Sequence, residues 1–225
     1  MLPWIKLDRA AVPGGEHLQL MQRGQEFSIM AGTTELMNSR LSGSEEALAT
    51  LSAARLKDRP KARVLIGGLG MGFTLRAALQ CFGPECQLVV AELVPEVVAW
   101  ARGPLSAIHG ESLDDPRVSI RIGDVGAAIA SGPRFDAILL DVDNGPDGLS
   151  RPANDKLYNA RGLAAAKAVL TQGGHLAVWS SAPDAHFTKR LKQAGMAVEE
   201  VNVRANGKRG GARHVIWFAT KTEKS

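Results

Sequence analysis

The chain has 225 residues, of which 45% are hydrophobic and 22% are charged, with a formal net charge of +4. That length fits one domain of ordinary size with a small addition, and the hydrophobic share excludes a disordered polymer. No apolar run approaches the roughly 18 residues that a membrane-spanning helix needs. The first eight residues lack the basic and apolar regions of a signal peptide, so we expect a cytoplasmic protein without a membrane partner.

Cysteines and basic residues give little indication of a metal or a nucleic acid. Cys81 and Cys86 have no further Cys or His close by in the sequence, so no metal site is expected, and a reducing compartment favours free thiols. The densest basic group surrounds the Asn206-Gly207 turn and consists of Arg204, Lys208, Arg209 and Arg213. It is interpreted as a solvated hairpin tip or as a phosphate-contacting patch. Because no groove-reading partner residues accompany it, nucleic acid is not expected as a partner.

The first 43 residues are predicted to form a small β region of their own. Segments 17–22 and 26–30 partly alternate apolar and polar residues around Arg23-Gly24-Gln25, which indicates a small antiparallel hairpin. Ser44-Glu45-Glu46 then begins an apolar-periodic stretch through Leu56, typical of a capped helix of three turns. The predicted division is therefore 1–43 for the β region and 44–225 for the main domain.

From residue 62 onward, short apolar runs alternate with helical patterns. Continuous apolar triplets such as Val64-Leu65-Ile66 are typical of strands buried on both faces, and the alternation predicts an α/β fold with a mostly parallel sheet. The Asn206-Gly207 loop favours an antiparallel last strand. The predicted strands are 63–67, 87–92, 117–122, 135–141, 174–180, 198–203 and 214–220. The predicted helices lie near 73–81, 95–108, 124–130, 155–170 and 183–194.

A glycine-rich turn follows the first strand of this series. The segment from Gly67 to Phe73 reads Gly-Gly-Leu-Gly-Met-Gly-Phe and leads directly into a helix. Backbone N–H groups and the helix dipole can therefore face a ligand, and we assign Gly68, Gly70 and Gly72 to cofactor binding. A tight turn without a ligand is the alternative for such a loop.

Two acidic residues follow the next two strands. Glu92 ends the second strand, 20 positions after Gly72, where a carboxylate can accept hydrogen bonds from ribose hydroxyls. Asp124 follows the third strand and can accept from an adenine amino group while the N–H of Val125 donates to the ring. Alternatively, Glu92 is a surface carboxylate at a strand end, and Asp124 is the N-cap of the helix that begins at Val125.

Three candidate catalytic residues follow the fourth strand. That strand delivers Asp141 to the carboxyl edge of the sheet, and Asp143 lies just beyond it in a Gly- and Pro-containing loop. These carboxylates can bind a cationic amine or take its proton, with Asx-turn chemistry as the alternative. Tyr158, the only tyrosine, lies early in the next helix and either lines the substrate pocket or packs in the core.

In this order, the glycine loop, Glu92, Gly123-Asp124 and the strand ending at Asp141 resemble the class I S-adenosylmethionine-dependent methyltransferases, and more narrowly their spermidine-synthase-like branch. The resemblance covers about residues 15–220. It implies a Rossmann-like seven-stranded sheet with a reversed last strand. It also implies that S-adenosylmethionine, or its decarboxylated form, binds at the glycine loop, with ribose on Glu92 and adenine on Asp124.

The chain departs from spermidine synthases at three places. Spermidine synthases carry an Asp between the last glycines of the loop, where this chain has Met71. Their segment corresponding to 141–146 is longer than the one in this chain. This chain also lacks their Tyr-His-Glu segment and has Ser44-Glu45-Glu46 near its place. A cationic polyamine requires several carboxylates, so we expect a methyltransferase acting on a small-molecule acceptor. The alternatives are a polyamine aminopropyltransferase using decarboxylated S-adenosylmethionine, an NAD-dependent dehydrogenase and a non-catalytic cofactor-binding homologue. A homodimer is compatible with each of them.

Overall fold

The structure is a computed structural model that describes residues 2–15, 17–142, 146, 155–207 and 210–222. Its elements form two sheets, one of four antiparallel strands and one of seven mostly parallel strands flanked by helices. The predicted fold class, an α/β Rossmann-like sheet preceded by a small β region, is confirmed. In the described part of the chain, helices that are both long and apolar enough to cross a membrane are absent.

The N-terminal sheet is larger than the predicted hairpin. Its strands are β1 (Ile5–Ala10), β2 (Leu18–Arg23), β3 (Glu26–Ala31) and β4 (Thr34–Asn38), paired in that order. The central pair, β2 and β3, is the predicted hairpin. The sequence did not predict the outer strands because few of their side chains are buried. In β1, five of the six residues are exposed. An edge strand can be held by its partner's backbone, so its sequence needs no strong apolar alternation.

The helix α1 (Gly43–Arg55) connects the two sheets. The seven-stranded sheet has the order β10-β11-β9-β8-β5-β6-β7, and the direction of β11 is opposite to that of the other six strands. The predicted reversal of the last strand is therefore confirmed. The strands are β5 (Arg63–Gly67), β6 (Gln87–Glu92), β7 (Val118–Ile122), β8 (Phe135–Leu140), β9 (Leu170–Ser180), β10 (Ala197–Arg204) and β11 (Arg213–Thr220).

Two of the predicted helices are each divided into two. The break in 95–108 falls at Gly103-Pro104, because a proline inside a helix removes a backbone donor and clashes with the preceding turn. The break in 155–170 falls at Asn159, whose side chain accepts from the N–H of Gly162 and starts a new helix. The helices are α2 (Phe73–Cys81), α3 (Pro95–Arg102), α4 (Ser106–His109), α5 (Val125–Ser131), α6 (Asp155–Tyr158), α7 (Ala160–Val169) and α8 (Ala185–Gln193).

The core lies on both faces of the large sheet. Along β5, Val64 and Ile66 pack on the side of α1, α2 and α3, whereas Leu65 packs on the side of α5, α7 and α8. All three residues are fully buried, as the apolar triplet predicts. A sheet covered on both faces is rigid, so it holds the loops at its carboxyl edge in fixed positions.

Candidate active site

The direction of the sheet's connections reverses between β5 and β8. From β5 the chain proceeds to β6 and β7 on one side, while β8 and β9 lie on the other. Loops that leave such a point diverge and open a crevice at the carboxyl ends of the strands. The glycine loop leaves β5 here, and Asp141 leaves β8. The N–H of Asp141 donates to the carbonyl of Gly67 over 3.1 Å, so the two strand ends are joined directly.

Three glycines of the loop have backbone conformations that favour glycine. The φ angles of Gly68, Gly70 and Gly72 are +88°, +49° and +77°. A Cβ on Gly68 would lie 2.6 Å from the carbonyl oxygen of Asp141, and one on Gly72 would lie 2.4 Å from Nδ1 of His109. Tight packing against the protein therefore already requires these glycines. Their contact with a cofactor remains a prediction.

A cleft opens between this loop, the start of α1 and the end of β9. It encloses about 580 Å³ of space, part of it open solvent. The cleft brings together three predicted site residues, Gly70, Gly72 and Asp141, with a carboxylate that the prediction had not assigned to the site, Glu45. Its lining consists of Leu36, Met37, Glu45, Leu69, Gly70, Met71, Gly72, Phe73, Asp141 and Trp179.

The two carboxyl groups of the cleft have raised pKa values. Burial raises the pKa of Asp141 to about 6, although the Thr74 hydroxyl donates to its Oδ2 over 2.6 Å. Burial, and then repulsion by Asp141, raises the pKa of Glu45 to about 7, although the Ser44 hydroxyl donates to its Oε2 over 2.7 Å. Groups with such pKa values can exchange a proton near neutral pH. When ionised, the pair attracts a cation, because an opposite charge relieves their mutual repulsion.

Glu92 is buried behind the glycine loop. Its Oε2 accepts from the N–H of Leu69 over 2.8 Å, and its Oε1 accepts from the N–H of Val94 over 2.9 Å. Burial raises the pKa of Glu92, while these backbone hydrogen bonds oppose the rise. Backbone hydrogen bonds from Gly70 and Leu93 also favour its ionised form, so four backbone N–H groups surround the carboxylate, and its contact with ribose remains a prediction. Leu69 lines the cleft, which places Glu92 one hydrogen bond away from it.

Asp124 is the N-cap of α5. Its carboxylate accepts from the N–H of Ala127 over 3.0 Å, and Val125, the first residue of the helix, is buried. The capping interpretation is thus confirmed. The N–H of Gly123 donates to the carbonyl of Glu92, so the two acidic residues lie on neighbouring strand ends. The exposed Asp124 side chain keeps a second oxygen for an adenine amino group, and this role remains a prediction.

The predicted catalytic residue Tyr158 is not brought into the cleft. Tyr158 is 3% exposed, and its ring packs edge-on against Phe187 with 5.6 Å between centroids. Its hydroxyl lies 3.5 Å from the carbonyl of Val142, next to the Asp141 loop but outside the cleft lining. Asp143 lies outside the described residues.

Glu45 is the functional candidate that sequence reasoning missed. Its position at the start of α1 was visible in the pattern of Ser44-Glu45-Glu46. The pattern could not show that this helix begins above the junction of β5 and β8, because that placement depends on tertiary packing. Thr74, on the first turn of α2, was missed for the same reason: its hydroxyl contacts Asp141 across the loop.

The sequence comparisons give relatives of one kind, and no protein-family model matches the chain. The polyamine aminopropyltransferase of Mycobacterium tuberculosis is 34% identical over 151 residues, which are 62% of this chain and 28% of the relative. The enzyme of the same name from Corynebacterium efficiens is 34% identical over 133 residues, which are 56% of this chain and 24% of the relative. The polyamine aminopropyltransferase of Sulfolobus acidocaldarius is 28% identical over 121 residues, which are 53% of this chain and 39% of the relative. The chain therefore spans well under half the length of these relatives.

Solved structures show the same fold over nearly the whole chain. A spermidine synthase in complex with the transition state analogue AdoDATO has a TM-score of 0.74 at 17% identity, covering 97% of this chain and 73% of that one. The spermidine synthase from Thermotoga maritima has a TM-score of 0.73 at 16% identity, with the same coverage. The expectation of a methyltransferase is wrong, because the six matched curated relatives are all named polyamine aminopropyltransferase. The comparisons confirm the resemblance of this chain to the spermidine-synthase-like branch of the class I S-adenosylmethionine-dependent methyltransferase fold.

Proposed function

We propose that this protein is a transferase that moves an aminopropyl group from decarboxylated S-adenosylmethionine to an amine. The observation that carries the proposal is the pair of half-buried carboxyl groups, Glu45 and Asp141, facing one cleft beside the glycine loop. An amine acceptor is cationic in neutral water and needs such a negative site. The relatives named polyamine aminopropyltransferase support the same reaction.

The methionine at position 71 does not remove the negative charge from the cleft. Met71 is 3% exposed and lines the cleft together with Glu45. The glycine loop carries no carboxylate here, but Glu45 at the start of α1 faces the same cleft as Asp141. The cleft therefore has two carboxyl groups with which to bind an amine, although Met71 supplies none.

The residues behind the loop fit an adenosyl group. Glu92 is buried at a strand end directly behind the glycine loop, and Asp124 keeps one oxygen beyond its capping bond. In the proposed complex Glu92 holds the ribose hydroxyls and Asp124 holds the adenine amino group. When bound, decarboxylated S-adenosylmethionine supplies an electrophilic carbon next to a positively charged sulfur.

The chain's own residues prepare the acceptor. Glu45 and Asp141 bind the ammonium group, and one of them takes a proton, which exposes the nitrogen lone pair. The nitrogen then forms the new C–N bond while the C–S bond breaks, and the sulfur keeps the electron pair as a neutral thioether. The apolar side chains of Met71, Phe73 and Trp179 exclude water from this end of the cleft, which strengthens the attraction between the carboxylates and the cation.

The test compares two donors with the same set of diamines. With decarboxylated S-adenosylmethionine we expect an aminopropylated amine and methylthioadenosine, detected by mass spectrometry, whereas S-adenosylmethionine should give no methylated amine. A protein that binds neither donor in calorimetry, or that binds the decarboxylated donor but modifies no diamine, would contradict the proposal.

Variants of the carboxylates connect the activity to this cleft. Glu45→Gln and Asp141→Asn should each lower kcat by about 100-fold, the scale of general acid–base catalysis. Glu46→Gln is the matched control, because Glu46 is the exposed neighbour of Glu45 on the same helix and does not line the cleft. An equal loss in all three variants would argue against a specific role for the pair.

A further inference from the structure

A chain of three hydrogen-bonded side chains leads from the cleft to β11. The hydroxyl of Ser44 donates to Oε2 of Glu45 over 2.7 Å, and Nδ1 of His214 lies 2.9 Å from the same hydroxyl oxygen. Because the hydroxyl proton points at Glu45, the imidazole Nδ1–H donates to Ser44 in this arrangement. Ser44 is fully buried in the first turn of α1, and both of these contacts of its hydroxyl are to side chains.

The backbone fixes the distance between Ser44 and His214. The N–H of Gly43 donates to the carbonyl of Ala205 over 2.9 Å, so the first turn of α1 rests on the β10–β11 hairpin. A Cβ on Gly43 would lie 2.1 Å from the backbone nitrogen of Gly207, which shows how closely the two elements approach. Glycine at position 43 therefore allows the contact that brings the serine to the histidine.

The surroundings of His214 favour the neutral form of its ring. Burial lowers the pKa of His214, and the ring packs edge-on against Trp179 with 4.9 Å between centroids. The residue paired with it on β10 is Val203, so Ser44, Trp179 and Val203 approach it from three different elements without a charge. A neutral imidazole has one nitrogen lone pair with which to accept a proton.

We propose that Ser44 and His214 carry away the proton that Glu45 takes from the acceptor ammonium, a role that rests on the proposed function. The ammonium transfers a proton to the Glu45 carboxylate and becomes a neutral amine. For the next step His214 is in the tautomer that carries its proton on Nε2, so that Nδ1 can accept. The Glu45 carboxyl then gives its proton to the Ser44 oxygen while the Ser44 hydroxyl proton passes to Nδ1 of His214. The imidazolium releases its Nε2 proton to water, and Glu45 is again a carboxylate beside Asp141 and Glu46.

Steady-state kinetics with a matched serine–histidine pair test this role. Ser44→Ala and His214→Asn should lower kcat by about tenfold, a modest fraction of a full acid–base effect, and leave KM within about twofold. The control is Ser52→Ala, because Ser52 lies on the same helix and its hydroxyl is 3.0 Å from Nε2 of His175, away from the cleft. Unchanged kcat in both relay variants, or an equal loss in the control, would overturn the proposal.

Nitrogen NMR of the imidazole rings provides a readout that does not require turnover. In the wild-type protein the tautomer of His214 should change from Nδ1–H to Nε2–H as Glu45 gains its proton on going below about pH 7. Ser44→Ala should abolish this change, and His175 should not respond in either protein. If His214 follows Glu45 in a protein without aminopropyl transfer, the proposed function fails but the coupling stands. If His214 does not follow Glu45, the relay fails whatever the activity.

Discussion

Gly72→Ala should destabilise the protein strongly, for two separable reasons. Gly72 precedes α2 with φ +77°, a conformation that costs an L residue about 1–2 kcal/mol. The new Cβ would also lie 2.4 Å from Nδ1 of His109, about 1 Å closer than ordinary contact allows. His109 is 1% exposed, so the ring cannot move aside into solvent. Overpacking of this kind costs about 1–3 kcal/mol, which gives a total of about 2–5 kcal/mol.

Gly14→Ala separates the two contributions. Gly14 has a similar φ of +67°, but nothing lies within 4 Å of the Cβ position, so only the backbone contribution of about 1–2 kcal/mol remains. Both variants would be unfolded in urea at pH 7 and followed by circular dichroism. Burial lowers the pKa of His109 to about 4, so its charge does not change at this pH. Equal losses of stability in the two variants would show that His109 does not restrict the glycine loop.

Three further predictions concern ionisable groups. Because the pKa of Glu45 is raised from 4.5 to about 7, the folded state loses stability as pH rises through that interval. In urea titrations Glu45→Gln should therefore be about 1–2 kcal/mol more stable than the wild type at pH 8 and equal to it at pH 4. Burial raises the pKa of Asp136, but hydrogen bonds from the N–H of Arg63 and the hydroxyl of Thr171 outweigh it and hold the pKa below 3.8. Asp136→Asn should lower the free energy of unfolding by about 1–3 kcal/mol at pH 7. The difference in stability between variant and wild type should disappear in acid, as the wild-type carboxylate is protonated; a constant difference down to pH 2 would refute this. Asp124→Ala removes the N-cap of α5 and should lower the free energy of unfolding by about 1 kcal/mol, whereas Asp124→Ser keeps a capping side chain. If calorimetry shows weaker donor binding in both variants, the loss of binding comes from the adenine contact and not from the loss of stability.

The parts of the fold that depend on local pattern were predictable. The apolar triplet beginning at Val64 located β5, and the apolar pattern after the glycines located α2 at 73–81, because buried strands and amphipathic helices leave a periodic trace in the sequence. Gly103-Pro104 and Asn159 are residue types that commonly end or begin a helix. The apolar periodicity continues across both positions, so the sequence pattern predicted one long helix in each case. For the exposed strand β1, pairing with β2 rather than burial determines the structure.

The candidate site was predictable only where one residue follows directly from a strand end. Asp141 reaches the cleft because β8 is buried and parallel, which the sequence indicates. Glu45 and Asp141 are far apart in the sequence, and their approach depends on how α1 crosses the sheet. The contact of Ser44 with His214 joins even more distant segments. Such pairings leave no periodic trace, so one sequence alone could not reveal them.

The strand order has a consequence for biosynthesis. β11 is inserted between β9 and β10, so β10 leaves the ribosome before the strand that attaches it to the sheet. Until residues 213–220 have followed, β10 has no neighbour with which to form a ladder, and His214 has not yet reached α1. Nascent chains halted before residue 213 should therefore leave β10 open to proteases while β5, β6 and β8 are already paired.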